Sequence, residues 1–113
     1  MKAGDPGDKP GGVFRNELEP LMAPEQQTIR VIYTGRVQGV GFRASTKAIA
    51  KRYPVTGYVR NLPDRTVELV MRGTDADLQQ ILDAVQSTFK YNITNTNKTM
   101  AMIDELPDSF KIL

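Results

Sequence analysis

An α+β sandwich of order β-α-β-β-α-β, closed by one further strand, is what this 113-residue chain predicts. Three observations carry the prediction. Apolar alternation over residues 28–37 gives way to helical spacing from Phe42. Two later strand-like segments are separated only by Pro63-Asp64-Arg65. A second helical stretch, opened by a capping sequence, then precedes another strand-like region. A strand buries every second residue and a helix about one face in 3.6, so each change of period marks a change of element.

In the first segment Ile29, Val31, Tyr33 and Val37 share one face and Arg30, Thr34 and Arg36 the other, with Ile32 out of pattern. That is a half-buried strand. From Phe42, the residues Phe42, Thr46, Ile49 or Ala50, and Tyr53 fall on one helical stripe, and Pro54 ends it. A second strand spans 56–62, with Tyr58 and Arg60 facing away from Val59 and Asn61. After the turn, a third strand over 66–72 presents Val67, Leu69 and Met71, making a hairpin. Thr74-Asp75-Ala76-Asp77 has the form of a capping box with acids at the positive helix end. Leu78, Ile81, Leu82, Val85 and Phe89 continue that helix to about Lys90. Residues 92–97 read as a polar loop, 99–105 as a strand with Met100 and Met102 inward, and 109–113 as a closing strand. The order fits a ferredoxin-like sandwich: one antiparallel sheet with both helices on one face.

Residues 1–27 read as a flexible, disordered extension. Glycines and prolines alternate there with no apolar periodicity, and the stretch carries three Lys/Arg against five Asp/Glu. The folded domain is then 28–113, with twelve Lys/Arg against eight Asp/Glu, a net of +4. Such a balance suits small anions and is too sparse to argue for nucleic acid. The chain has no cysteine and no histidine, which removes disulfides, thiolate nucleophiles, the commonest general base and the commonest metal ligands. No metal or cofactor is expected. No stretch is apolar enough for a signal peptide or a membrane span, so a cytoplasmic protein without a membrane partner is the expectation; a monomer is expected besides.

The chemistry concentrates in Gly35-Arg36-Val37-Gln38-Gly39-Val40-Gly41-Phe42-Arg43. These residues leave a strand, pass two nearly adjacent glycines and bring an arginine to a helix start. Glycines allow backbone amides to converge on one ligand, a helix N-terminus adds unpaired N–H groups, and arginine offers a planar fork to two phosphate oxygens. Phosphate is therefore the expected ligand, with Gln38, Gly39, Val40, Gly41, Phe42 and Arg43 as its cradle. Gly39 to Ala44 also matches the G-x-G-x-x-A variant of the dinucleotide fingerprint. The domain is too small for that fold, and no acid stands at a strand end about 20 residues on. An RNA-recognition reading fails because the third strand carries no aromatic. Asn61 at the end of the second strand is a second candidate, able to hold a water in line with a bound phosphorus. Its alternative is a turn-proximal asparagine that satisfies backbone groups.

Residues 28–113 resemble the acylphosphatase family. Gly35–Arg43 is similar to the family's phosphate loop, and Gly57-Tyr58-Val59-Arg60-Asn61 to its Gly-aromatic-Val-x-Asn signature, the two arginine and asparagine positions lying 18 residues apart. The resemblance is strongest over 29–73. It implies hydrolysis of acyl phosphates to carboxylate and inorganic phosphate without metal, with phosphate also acting as inhibitor. Arg43 and the loop amides would hold the phosphate, and Asn61 would orient the water. The alternatives are a non-catalytic anion-binding module, or a carbamoyl-phosphate-handling domain of the kind found in larger maturation proteins. Two departures stand out: Asp64-Arg65 where the family has an Asp-Gly turn, and the N-terminal extension.

Overall fold

The computed structural model describes residues 25–113. The expected extension therefore lies outside the described residues as far as residue 24. Strand β1 (Gln26–Gly35) begins inside its expected last two residues. Helix α1 (Phe42–Ala50), β2 (Thr56–Asn61), β3 (Val67–Thr74), α2 (Asp75–Thr88), β4 (Ile93–Met100) and β5 (Lys111–Ile112) follow. The five strands form one sheet of order β4-β1-β3-β2-β5, with both helices packed over one face.

The sheet is mixed rather than antiparallel throughout. β1 with β3, β1 with β4 and β2 with β3 pair antiparallel, whereas β5 lies parallel to β2. The reason is topological. β4 sits on one edge and β5 on the other, so residues 101–110 carry the chain from edge to edge and it enters β5 running the same way as β2.

The alternation expected for β1 holds: Ile29, Val31 and Tyr33 are buried beneath the helices with Leu69, Met71, Val59, Leu78, Ile81 and Val85. β3 is central, and Glu68 and Val70 on its other face are buried too. α1 buries Phe42, Thr46, Ile49 and Ala50, the stripe expected of it. It ends in a tight turn rather than at the proline itself, with Arg52 N and Tyr53 N donating to Ile49 O and Ala50 O. The Thr74 hydroxyl accepts from Asp77 N at 3.2 Å, which is the expected cap of α2.

The C-terminal third departs from expectation. Residues 93–100 form β4 and residues 101–107 no strand, the reverse of the polar loop and later strand anticipated. An edge strand with one sheet neighbour and little helix cover needs no apolar alternation, and its threonines favour the extended backbone. Met100 and Met102 are 64% and 99% exposed instead of facing inward, because one ends that edge strand and the other lies past it.

Candidate active site

β1 and β2 both run antiparallel to β3, so they run parallel to each other with β3 between them. Their C-terminal ends therefore emerge at the same end of the sheet. The loop 36–41 leaves one and Asn61 ends the other. α1 begins at that end too, since the loop feeds directly into it.

The loop has the backbone its glycines were expected to supply. Gly39 and Gly41 sit at φ 78° and 81°, in the left-handed region. A Cβ at either would meet no atom within 4 Å, so their role is the turn of the chain and not relief of crowding. Gly41 is the N-cap of α1 and gives the helix no side-chain cap, and no acid lies in the first turn. The first N–H groups of α1 therefore keep their partial positive charge for an anion. A cavity of about 190 Å³ opens here, lined by Val37, Gly39, Gly41, Phe42, Arg43, Ala44 and Ile112. It is smaller than the ~300–1,000 Å³ of sites that enclose drug-sized ligands, which suits a phosphate group and not a dinucleotide.

The residues of the run divide into different duties. Arg43 lines the cavity, half-buried in the first turn of α1, and no carboxylate among the described residues pairs with it. Val40, also expected in the cradle, is exposed and does not line the cavity. Phe42 contributes its backbone to the helix start, while its ring is buried between Tyr33 and Phe89, with centroids 5.0 and 4.6 Å away. Burial among these rings pushes the Tyr33 phenol well above its ordinary pKa. Gln38 does not line the cavity: its Nε2 donates to Leu62 O and Thr66 O, each at 2.9 Å.

Asn61 ends β2 on the helix side of the sheet, as its alternation with Tyr58 and Arg60 required. Its Oδ1 is buried with no hydrogen-bond partner among the described residues. That acceptor is not spent on a backbone group of the described residues. The Thr46 hydroxyl, on the inner face of α1, is likewise buried and unpartnered.

The turn that carries Asn61 resolves the Asp64-Arg65 departure. Leu62 N donates to Thr66 O at 2.9 Å, and Arg65 N donates to Leu62 O at 3.1 Å. Arg65 takes φ 76°, the conformation a glycine would adopt freely. The turn is thus a three-residue hairpin loop with its bulge residue left-handed. Asp64 stiffens it by accepting from Thr66 N and Thr66 Oγ1, which holds its carboxyl below the usual range.

Two supports escaped the sequence. Asn92, between α2 and β4, donates from Nδ2 to Arg36 O at 3.0 Å, and Arg36 N donates to Asn92 O at 2.8 Å. Those bonds pin the entry to the loop. Ile112 brings β5 to the cavity wall. Neither had a local signal, since both depend on elements more than 50 residues away in sequence. On the opposite face of the sheet, Glu68 lies directly across from Arg60 and diagonal to Arg30. It accepts from Arg30 Nε at 2.6 Å and Arg60 Nε at 2.5 Å, with only 4% of its side chain exposed. Burial raises its pKa, but the two guanidiniums outweigh burial and hold it below the usual carboxylate range. Among the described residues, no His/Cys/Asp/Glu group is arranged to hold a metal, and no helix is long and apolar enough to cross a membrane.

Fold and site together define a small two-helix sandwich with a glycine-containing loop that opens a small cavity at a helix N-terminus. A family model described as acylphosphatase matches residues 29–112. A curated acylphosphatase of Latilactobacillus sakei is 44% identical over 63 residues, spanning 56% of this chain and 68% of that protein. One from Rhizobium etli is 32% identical over 92 residues, spanning 80% and 98%. The crystal structure of acylphosphatase from Bacillus subtilis superposes with a TM-score of 0.70 at 31% identity, covering 79% of this chain and 99% of that one. The chain belongs to the acylphosphatase family, hydrolases that act on acyl phosphates. Family, fold type and enzyme class agree with the reading of the sequence.

Proposed function

We propose that this chain hydrolyses the bond between carboxyl oxygen and phosphorus in an acyl phosphate, releasing carboxylate and inorganic phosphate without a metal in the step. The phosphate sits in the cavity, its oxygens facing the first amides of α1 and the loop, with the Arg43 fork on two of them. Asn61 Oδ1 accepts a hydrogen bond from a water and aims its oxygen at phosphorus, opposite the carboxylate. As the water oxygen bonds to phosphorus, the P–O bond to the carboxylate breaks and the leaving oxygen takes the electron pair. The water's proton passes to a phosphate oxygen, so no side-chain base is required. An acyl phosphate already has a good leaving group, and positioning with charge neutralisation supplies most of what remains.

The observation that carries this reading is the unpartnered, buried Oδ1 of Asn61 at the same end of the sheet as an uncapped helix N-terminus. Buried acceptors are almost always satisfied, so one left open at this end of the sheet fits a role completed by water.

The test is hydrolysis of benzoyl phosphate by the purified protein, with and without a chelator, and with inorganic phosphate as competitor. Chelator-insensitive turnover inhibited by phosphate is expected. Phosphate binding without turnover would leave an anion-binding module and overturn the hydrolase reading.

A further inference from the structure

Gln38 belongs to the glycine loop in sequence, but its side chain is committed elsewhere. A primary amide nitrogen carries two hydrogens, and both of Gln38's are directed at backbone carbonyls of the β2–β3 hairpin, Leu62 O and Thr66 O, at 2.9 Å each. No N–H remains for a phosphate oxygen, and the Oε1 that is left is an acceptor that an anion repels. The two carbonyls are the ones already engaged at the mouth of the hairpin, accepting from Arg65 N and Leu62 N. Leu62 follows Asn61 directly. Among the described residues, no other side-chain hydrogen bond joins the loop to this hairpin.

We infer that Gln38 is a positioning residue, a clamp that fixes the phosphate cradle in register with Asn61. The role rests on the hydrolase reading above. The cradle is held at its entry by Asn92, and the hairpin turn by Asp64 and Thr66, so each half of the site keeps its shape without Gln38. What Gln38 adds is their relative placement. In an in-line displacement that placement sets the approach of the water to phosphorus, and an error of about 1 Å costs on the order of 10²-fold in rate.

The experiment compares wild type with Gln38→Met, which keeps length and removes both donors, using benzoyl phosphate and inorganic phosphate. The expected result is a kcat lower by roughly ten- to hundredfold. The inhibition constant for phosphate should stay within about threefold, because Arg43 and the loop amides remain in place. In an Asn61→Ala background the same substitution should change kcat by no more than about twofold, since the clamp acts through Asn61. Gln38→Lys, which again offers N–H donors to both carbonyls, should recover several-fold of the lost kcat, and it serves if the methionine variant folds poorly.

An undiminished kcat in Gln38→Met overturns the clamp. So does a phosphate affinity that weakens in step with kcat, which would make Gln38 a phosphate ligand. Losses that multiply with Asn61→Ala, or a lysine variant no better than methionine, also overturn it. Wild-type turnover is the control: its absence overturns the hydrolase reading and this role with it, whereas wild-type turnover beside an unimpaired Gln38→Met overturns the clamp alone.

Discussion

Replacing Arg65 with glycine should make this protein more stable and leave its site intact. Arg65 holds φ 76° at the bulge of the hairpin that carries Asn61. For a residue with a Cβ, the left-handed region costs roughly 1–2 kcal/mol. Glycine removes that cost but gives the unfolded chain more freedom, which returns about 0.4–1 kcal/mol. The net gain is about 0.5–1 kcal/mol, or roughly 2–8 °C in Tm for a domain of this size. The Arg65 side chain is exposed, so little packing is lost with it. Thermal unfolding followed by circular dichroism measures the gain, and Arg65→Ala is the control. Alanine keeps the Cβ and therefore the strain, so its Tm should stay near wild type. Both variants should turn over benzoyl phosphate at the wild-type rate, because the hydrogen bonds from Leu62 and Arg65 that shape the turn come from the backbone. A glycine variant that is no more stable than the alanine variant would refute the strain argument.

Three further outcomes follow from the site and the sheet. Arg43→Gln should weaken phosphate inhibition by roughly ten- to hundredfold and lower turnover with it, the loss of charge-assisted bonds to the anion; competition assays check this. Asn61→Ala should lower kcat by about 10²–10³-fold while phosphate inhibition changes little, and an unchanged kcat would remove Asn61 from the mechanism. Glu68 has its folded pKa depressed by Arg30 and Arg60, so its contribution to stability is present above the ordinary glutamate value of about 4.3 and is lost as pH falls through the lower folded value. The Tm advantage of wild type over Glu68→Gln should therefore be full near neutrality and shrink on acidification below pH ~4. An advantage constant across that range would show that Glu68 acts by packing alone.

The readable parts of this molecule are those where one local rule decides. Alternation exposed β1, the helical stripe exposed α1, and Thr74 with Asp77 marked the start of α2. The glycine turn was legible because Gly39, Gly41 and Arg43 lie within five residues, so the turn, the helix start and the arginine it delivers are all local. β4 was illegible because a polar edge strand owes its form to a neighbour's open hydrogen-bonding groups, and those leave no apolar pattern. Gln38 was legible as a loop residue but not in its duty, since nothing in Val37-Gln38-Gly39 says where that amide points.

The sequence by itself determined two candidate segments: a turn of glycines leading to an arginine at a helix start, and an asparagine 18 residues further on at a strand end. Only the tertiary structure decided that both stand at one end of the sheet. That depends on β3 inserting between β1 and β2, which turns two strands consecutive in the chain into parallel neighbours-but-one with their C-terminal ends together. It depends as well on β5 running parallel to β2 and carrying Ile112 to the cavity, and on Gln38 and Asn92 reaching across 24 and 56 residues to lock the loop. The physical reason is that a turn or a cap is settled by the torsions and hydrogen bonds of a few adjacent residues. The register of two such segments is settled by strand pairing, which local sequence does not encode.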